Sequence, residues 1–296
     1  MPTAATEQLH PEARGLDARP LTEVADILAR AQADASAAAL AACPAICDGA
    51  RAMAAAIREG GTLHYAAAGS SGLMAAADAL ELGGTFSIPA AQLRVHMAGG
   101  IPTGVEMPGG TEDETADLER ALADIGPQDV LIGVSASGTT PYTLAGATFA
   151  KARGATVIGI ANNPGSALLS LADHAVLLAT PAEVISGSTR MGAATAQKIA
   201  LNMLSTLMAI DLGHVHDGMM VNLRADNIKL RARATGIVTR ITEVSDETAA
   251  QAIEAADGNV KCAILIASGA TDLADATTRL ETTGGKLRPA LLALRP

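Results

Sequence analysis

The sequence predicts an α/β doubly wound fold: a five-stranded parallel sheet preceded by helices and followed by a small helical module. Three observations predict it. Five short apolar runs, Thr62–Ala67, Gln92–Met97, Asp129–Ser135, Ala155–Ala161 and His174–Ala179, alternate with segments of helical periodicity. Runs that are apolar on both faces belong to a parallel sheet covered on both sides. Gly and Ser punctuate the exits of the first and third runs, and after Pro181 the strand signals stop while helical periodicity continues to the end.

Taken in order, the first nineteen residues are polar and proline-punctuated, which predicts a draping arm. Leu21–Ala31 and Ser36–Ile57 read as helical, the second stretch kinked or split at Pro44 and ended by Gly60-Gly61. The sheet follows, with a helix over Ser71–Leu82 stopped by Gly83-Gly84. Ser188–Asp211 reads as one long buried helix, and from Val221 the chain is expected to be helical, with breaks at Gly236, Asp257-Gly258 and Gly269. Ser245 is an N-cap candidate, and a three-helix module is expected from about Ile237. This divides the chain into residues 1–58 (arm and helices), 59–218 (sheet domain) and 219–296 (helical module).

The chain has 296 residues, 49% of them apolar and only 1% aromatic, with net charge -10. At this length roughly 75% of the unfolded surface can be buried, so no disulfide or metal is required for folding. A net negative, aromatic-poor chain lacks both the basic footprint and the stacking surfaces of a nucleic-acid binder. The longest apolar stretch, Ile199–Ile210, is interrupted by Asn202, Ser205 and Thr206 and is shorter than the roughly 20 residues of a bilayer span. No membrane helix is expected. Met1–Arg19 lacks the apolar region of a signal peptide, and three cysteines in a long chain suit a reducing compartment, so a cytoplasmic location is expected. Cys43 and Cys47, with three residues between them, make no C-x-x-C and read as buried small hydrophobes.

Ligands of open parallel sheets bind at the carboxyl ends of the strands. There the sequence places Ala68-Gly69-Ser70-Ser71-Gly72 and Ser135-Ala136-Ser137-Gly138-Thr139-Thr140-Pro141, and a third cluster, Ser186-Gly187-Ser188-Thr189, opens the long helix. Glycines that admit a ligand to the backbone, with hydroxyls and amides at helix starts, form a neutral cradle for a phosphate. The same hydroxyls also serve as ordinary helix caps. Neither the P-loop nor the dinucleotide fingerprint is present.

Two carboxylates stand apart by position. Glu81, at the expected carboxyl end of its helix between Leu80 and Leu82, faces the negative end of the dipole, which disfavours its ionised form. Glu112 follows Gly109-Gly110-Thr111, and a Thr111/Glu114 capping box places it in a first helical turn, where ionisation is favoured. Such a pair suits an acid and a base. His214-Val215-His216-Asp217 has no third metal ligand nearby and reads as a solvated helix exit. His64 and His96 read as core-edge residues, and Arg224, Asn227 and Lys229 as either substrate cations or a charged helix face.

The turns at Ala68–Gly72 and Ser135–Tyr142, with Asn162-Asn163-Pro164-Gly165-Ser166, resemble the sugar isomerase (SIS) phosphosugar-binding domain. The stretch Ala182–Met191, with Thr195-Ala196-Gln197-Lys198 and Leu201–Thr206, resembles the N-acetylmuramic acid 6-phosphate etherases over nearly the whole chain from Leu21. The resemblance implies a cofactor-independent carbon–oxygen lyase that converts N-acetylmuramic acid 6-phosphate to N-acetylglucosamine 6-phosphate and D-lactate by elimination and hydration. It needs no metal. Glu81 falls on the family's acid and Glu112 on its second catalytic glutamate, while Ser70, Ser71, Ser137, Thr139, Ser186 and Ser188 fall on the phosphosugar pocket. Glu183 falls on a site glutamate, and a homodimer is implied. Leu73, Thr139 and Gly192 stand where the family carries basic residues, which keeps two alternatives open: a non-catalytic phosphosugar-binding regulator and an aldose–ketose sugar-phosphate isomerase.

Overall fold

The computed structural model describes residues 5–107, 110–223 and 228–294. The chain divides into two compact units, Met1–Leu80 with Ala90–Ser205, and Glu81–Pro89 with Thr206–Pro296.

In the first unit, α1 (Leu21–Ala41) and α2 (Cys43–Arg58) precede β1 (Leu63–Ala67), α3 (Gly69–Phe86, whose residues from Glu81 belong to the second unit), β2 (Leu93–Met97) and α4 (Ala116–Ala121). Then follow β3 (Val130–Ser135), α5 (Pro141–Ala152), β4 (Thr156–Ala161), α6 (Ala167–Leu171), β5 (His174–Leu177) and α7 (Gly192–Asp211). The five strands pair in parallel in the order β2-β1-β3-β4-β5. Each expected strand is present, trimmed by one or two residues. Leu63, Leu131, Ile132, Val157, Ile158 and Ile160 are inaccessible to solvent, as expected of a sheet covered on both faces.

The N-terminal helices differ from expectation. Alanine-rich α1 runs without a break to Ala41, and Pro44 lies in the first turn of α2, where its missing N–H costs nothing. Cys43 and Cys47 are half-buried and free. The larger correction is α3, which continues through Gly83-Gly84 to Phe86. Leu82 and Phe86 are buried at 1% and 7% exposure. Burying those side chains outweighs the roughly 1 kcal/mol that each helical glycine costs.

One buried polar cluster braces this unit. Asp78 on α3, 3% exposed, accepts hydrogen bonds from the Tyr65 hydroxyl at 3.1 Å, Asn202 Nδ2 at 2.8 Å and Ser205 Oγ at 2.8 Å. Burial, and then the neighbouring Asp78, push the Tyr65 hydroxyl well above its ordinary pKa.

His64 and His96 form a stacked pair with ring centroids 5.3 Å apart and Nδ1 to Nε2 at 3.0 Å. Burial holds both below the ordinary histidine value, His96 at about 4 with the neighbouring His64 adding to the shift. A base whose folded pKa is depressed leaves the unfolded chain to take up more protons below about pH 6.5. Stability is therefore complete above that pH and is lost as pH falls toward 4. Between pH 7.5 and 5 the loss from this pair is on the order of 1–2 kcal/mol. Urea melts at both pH values check this: His96→Gln narrows the difference between them, and an undiminished difference contradicts it.

The second unit holds a two-stranded hairpin, β6 (Val215–His216) and β7 (Met219–Met220), and the helices α8 (Ile228–Thr242), α9 (Asp246–Ala255), α10 (Val260–Ala267), α11 (Leu273–Thr282) and α12 (Leu287–Leu292). The expected helix exit at His214–Asp217 is thus a hairpin arm with His216 buried, turned by Asp217 and Gly218 at φ 46° and 75°. Asp-Gly is the pair that a two-residue turn with two positive φ angles favours. Five helices replace the expected three, α8 passes through Gly236, and Ser245 caps α9 by accepting from Thr248 N–H at 3.2 Å. Val238, Ala249, Val260, Ile264 and Leu265 centre the core of this unit. Arg224 and Asn227, and the Lys229 side chain, lie outside the described residues.

Candidate active site

The strand order puts β1 beside β3, and the chain leaves them toward opposite edges of the sheet. The crevice at their carboxyl ends is therefore the topological switch point. Two of the predicted turns meet the expectation for that place.

From β1 the chain enters α3 directly at Gly69-Ser70-Ser71, with Ser71 buried and Ser70 half-buried. Gly69 has φ +54°, and a Cβ there would stand 3.2 Å from Glu112 Oε1. The Glu112 carboxylate thus lies against the amino end of α3. Glu112 itself is exposed, in a 3-10 turn over Thr111–Asp113 that Gly110 precedes. The predicted Thr111/Glu114 capping box does not form, because α4 starts only at Ala116. What places Glu112 is its return to the β1–α3 turn.

The turn after β3 is a knot of hydroxyls. Ser135 Oγ accepts from Gly138 N–H at 3.0 Å and lies 3.2 Å from Ser137 Oγ and 2.8 Å from Thr140 Oγ1. Ser137 Oγ accepts from Thr139 N–H at 3.1 Å and from Thr139 Oγ1 at 3.0 Å. Gly138 takes φ +69°, and a Cβ there would stand 2.2 Å from Ser166 Oγ, so only glycine fits. Pro141 then starts α5, aiming its amino end at the crevice.

The third cluster behaves differently. The long helix opens at Gly192 rather than Ser188, and its amino end is already filled. Glu183, 5% exposed, accepts from Gly192 N–H at 2.9 Å and Ala193 N–H at 2.8 Å. A buried carboxylate of the chain thus occupies the place where a phosphate was expected. Ser186, exposed, donates to the Glu7 carbonyl at 3.3 Å, and Ser188 is half-buried with its N–H bonded to the Ile185 carbonyl at 2.9 Å. A Cβ on Gly192 would stand 3.2 Å from both Glu183 Oε2 and Ala35 Cβ, so a side chain there would press on the cap.

Glu81 is not at a helix end. It is exposed in the interior of α3, beside Leu80, which is 70% exposed. Glu112 alone of the two lies at a helix amino end, and both are exposed, so the argument from a helix terminus and burial fails for Glu81. Of the substituted basic positions, Leu73 and Thr139 are exposed and Gly192 is buried. Among the described residues no group of three or more His, Cys, Asp or Glu side chains is arranged to hold a metal. Asp78, which sequence reasoning passed over, and Asn163, which it read only as part of a SIS-like turn, are both buried polar hubs whose partners lie far away in the chain.

Residues 110–212 match the family model of the SIS domain. A Deinococcus radiodurans protein named N-acetylmuramic acid 6-phosphate etherase is 41% identical over 288 residues, covering 97% of this chain and 94% of its own length. A Streptomyces avermitilis protein of the same name is 40% identical over 293 residues, covering 98% and 94%. Among solved structures, a phosphoheptose isomerase from Neisseria gonorrhoeae aligns with a TM-score of 0.46 at 20% identity, over 64% of this chain and 98% of that one.

Proposed function

The chain belongs to the N-acetylmuramic acid 6-phosphate etherase family, and we propose that within this carbon–oxygen lyase activity Glu81 and Glu112 make the proton transfers. The substrate is an amino-sugar phosphate whose D-lactyl ether is cleaved. With the sugar open as its aldehyde, the C2 proton is acidified by the neighbouring carbonyl. Glu112 takes that proton, the C3–O bond breaks, and the departing lactate oxygen is protonated by Glu81. Water then adds across the C2–C3 double bond to give N-acetylglucosamine 6-phosphate. The observation that carries this reading is Glu112 Oε1 against Gly69, at the crevice where the Ser70-Ser71 and Ser135–Thr140 turns offer hydroxyls and helix amino ends. The phosphate is held there by Ser70, Ser71, Ser137 and Thr139, without a cation at position 73 or 139. Ser186, Ser188 and the Glu183 cap shape the wall on the side of α7.

A second copy of the chain completes the site. Glu81 lies eleven residues beyond Ser70 in α3, about 16 Å of helix axis at 1.5 Å per residue, which is further than one sugar reaches. Leu73, Ala77 and Leu80 are exposed at helical spacing on one side of α3, Leu73 at 38% and Leu80 at 70%. A copy laid over that stripe would cover the leucines and bring its own Glu81 to the crevice. Among the described residues no single helix is long and apolar enough to cross a membrane. A cytoplasmic setting suits Cys43, Cys47 and Cys262 as free thiols.

The test is incubation of the purified protein with N-acetylmuramic acid 6-phosphate and an enzymatic assay for D-lactate. Release above that of the Glu81→Gln/Glu112→Gln double variant is expected. Release no greater than that control overturns the assignment.

A further inference from the structure

The first nineteen residues read as a draping arm, yet Thr6 within them is only 3% exposed. Its partners explain why. Thr6 N–H donates to Asn163 Oδ1 at 3.4 Å, and Asn163 Nδ2 donates back to Thr6 Oγ1 at 3.1 Å. The same amide reaches the carbonyls of Ala136 and Ser137, each at 3.4 Å. Asn163 is itself 6% exposed, so each of these groups has exchanged water for a protein partner. On its other side, the Thr6 carbonyl accepts from Gly187 N–H at 3.2 Å and the Glu7 carbonyl from Ser186 Oγ at 3.3 Å.

We propose that Thr6 and Asn163 form a clasp by which the N-terminal arm holds the phosphosugar-binding turn Ser135–Thr140 in its binding geometry, making the arm a determinant of substrate affinity. The placement favours support over obstruction. Asn163 grips the turn by the carbonyl oxygens of Ala136 and Ser137, opposite in bonding sense to the amides and hydroxyls that an anion would use. The arm itself bonds two loops, after β4 through Asn163 and before α7 through Ser186 and Gly187, and Asn163 carries the hold to the turn after β3. A short segment bonded to both loops, with buried Asn163 as the bridge to the third, fixes their spacing. Losing the Thr6 hydroxyl leaves the Asn163 amide underused and the turn free to shift. Thr6 and Asn163 are positioning residues, and neither takes part in proton transfer.

The inference rests on the etherase reading for its substrate, so the experiment carries two readouts. Steady-state kinetics with N-acetylmuramic acid 6-phosphate and calorimetric titration with N-acetylglucosamine 6-phosphate are run on wild type, Thr6→Val, Thr6→Ser and a chain lacking residues 1–8. Thr6→Val is expected to raise KM and the product Kd together, roughly 3- to 10-fold, as for loss of one buried hydrogen bond, with kcat within twofold. Thr6→Ser keeps the hydroxyl and restores both constants. The truncated chain repeats the valine result, which guards against a valine variant that misfolds. Unchanged KM and Kd in the valine and truncated proteins overturn the clasp. So does tighter binding, which would make the arm an obstruction. If wild type releases no lactate, the etherase reading fails, and the Kd comparison still decides the clasp.

Discussion

Glu112→Gln lowers D-lactate release by about 10²- to 10⁴-fold, the range of a lost general base, and abolishes solvent exchange of the C2 proton with it. Glu81→Gln lowers lactate release over a similar range but leaves C2 exchange measurable, because the acid acts only when the C3–O bond breaks. The asymmetry identifies the roles, which geometry alone does not: both glutamates are exposed, and Glu81 lies inside α3 rather than at the helix end that its local sequence suggested. Mixing the two inactive variants adds a sharper test. If Glu81 serves the crevice of a second copy, a mixed dimer keeps one intact site. Half of the dimers are mixed, so about a quarter of wild-type activity returns. Sites completed within one chain would give no recovery. Lactate release unaffected by either single substitution would remove the glutamate pair from the mechanism.

Asp78→Ala removes the acceptor of buried Tyr65 and half-buried Asn202, leaves Ser205 only the Asn202 carbonyl at 3.3 Å, and costs on the order of 3 kcal/mol. Tyr65, Asn202 and Ser205 all donate to this one carboxylate, at 2.8 to 3.1 Å. An unsatisfied buried donor costs about 1–3 kcal/mol, so the removal of their common acceptor outweighs the loss of any single bond. Asp78→Asn retains one acceptor oxygen and recovers part of the loss. Urea unfolding followed by circular dichroism checks the order: wild type most stable, then Asn, then Ala. An alanine variant as stable as wild type would mean that water replaces the carboxylate at no cost.

The strands were legible because a doubly covered sheet demands residues that are apolar on both faces, and Leu131-Ile132 and Val157-Ile158 meet that demand without help from distant residues. The turn Ser135–Pro141 was legible for a related reason, since the glycine, the hydroxyls and the helix-starting proline are local chemistry. Where local chemistry competed with burial, the reading failed. Gly83-Gly84 reads as a stop, yet the burial of Leu82 and Phe86 carries α3 across it and removes Glu81 from the helix end. The Glu112 position failed likewise: its contact is with Gly69, more than forty residues earlier, and no capping pattern encodes that. Glu183 could be placed near the site only by family resemblance, and its bonds to Gly192 and Ala193 assign it to the helix amino end once reserved for phosphate. The Asp217-Gly218 hairpin was readable from its turn pair. It was obscured by flanking strands of only two residues each.

Opening the lactyl ether by elimination at C2–C3 followed by addition of water leaves a distinct isotopic record in both products. Turnover of N-acetylmuramic acid 6-phosphate in ¹⁸O-labelled heavy water, with mass analysis of both products, tests it most directly. The expected result is unlabelled oxygen in the released D-lactate, with solvent oxygen at C3 and deuterium at C2 of the N-acetylglucosamine 6-phosphate. Solvent oxygen in the lactate, or product that retains its original C2 proton and C3 oxygen, would contradict it.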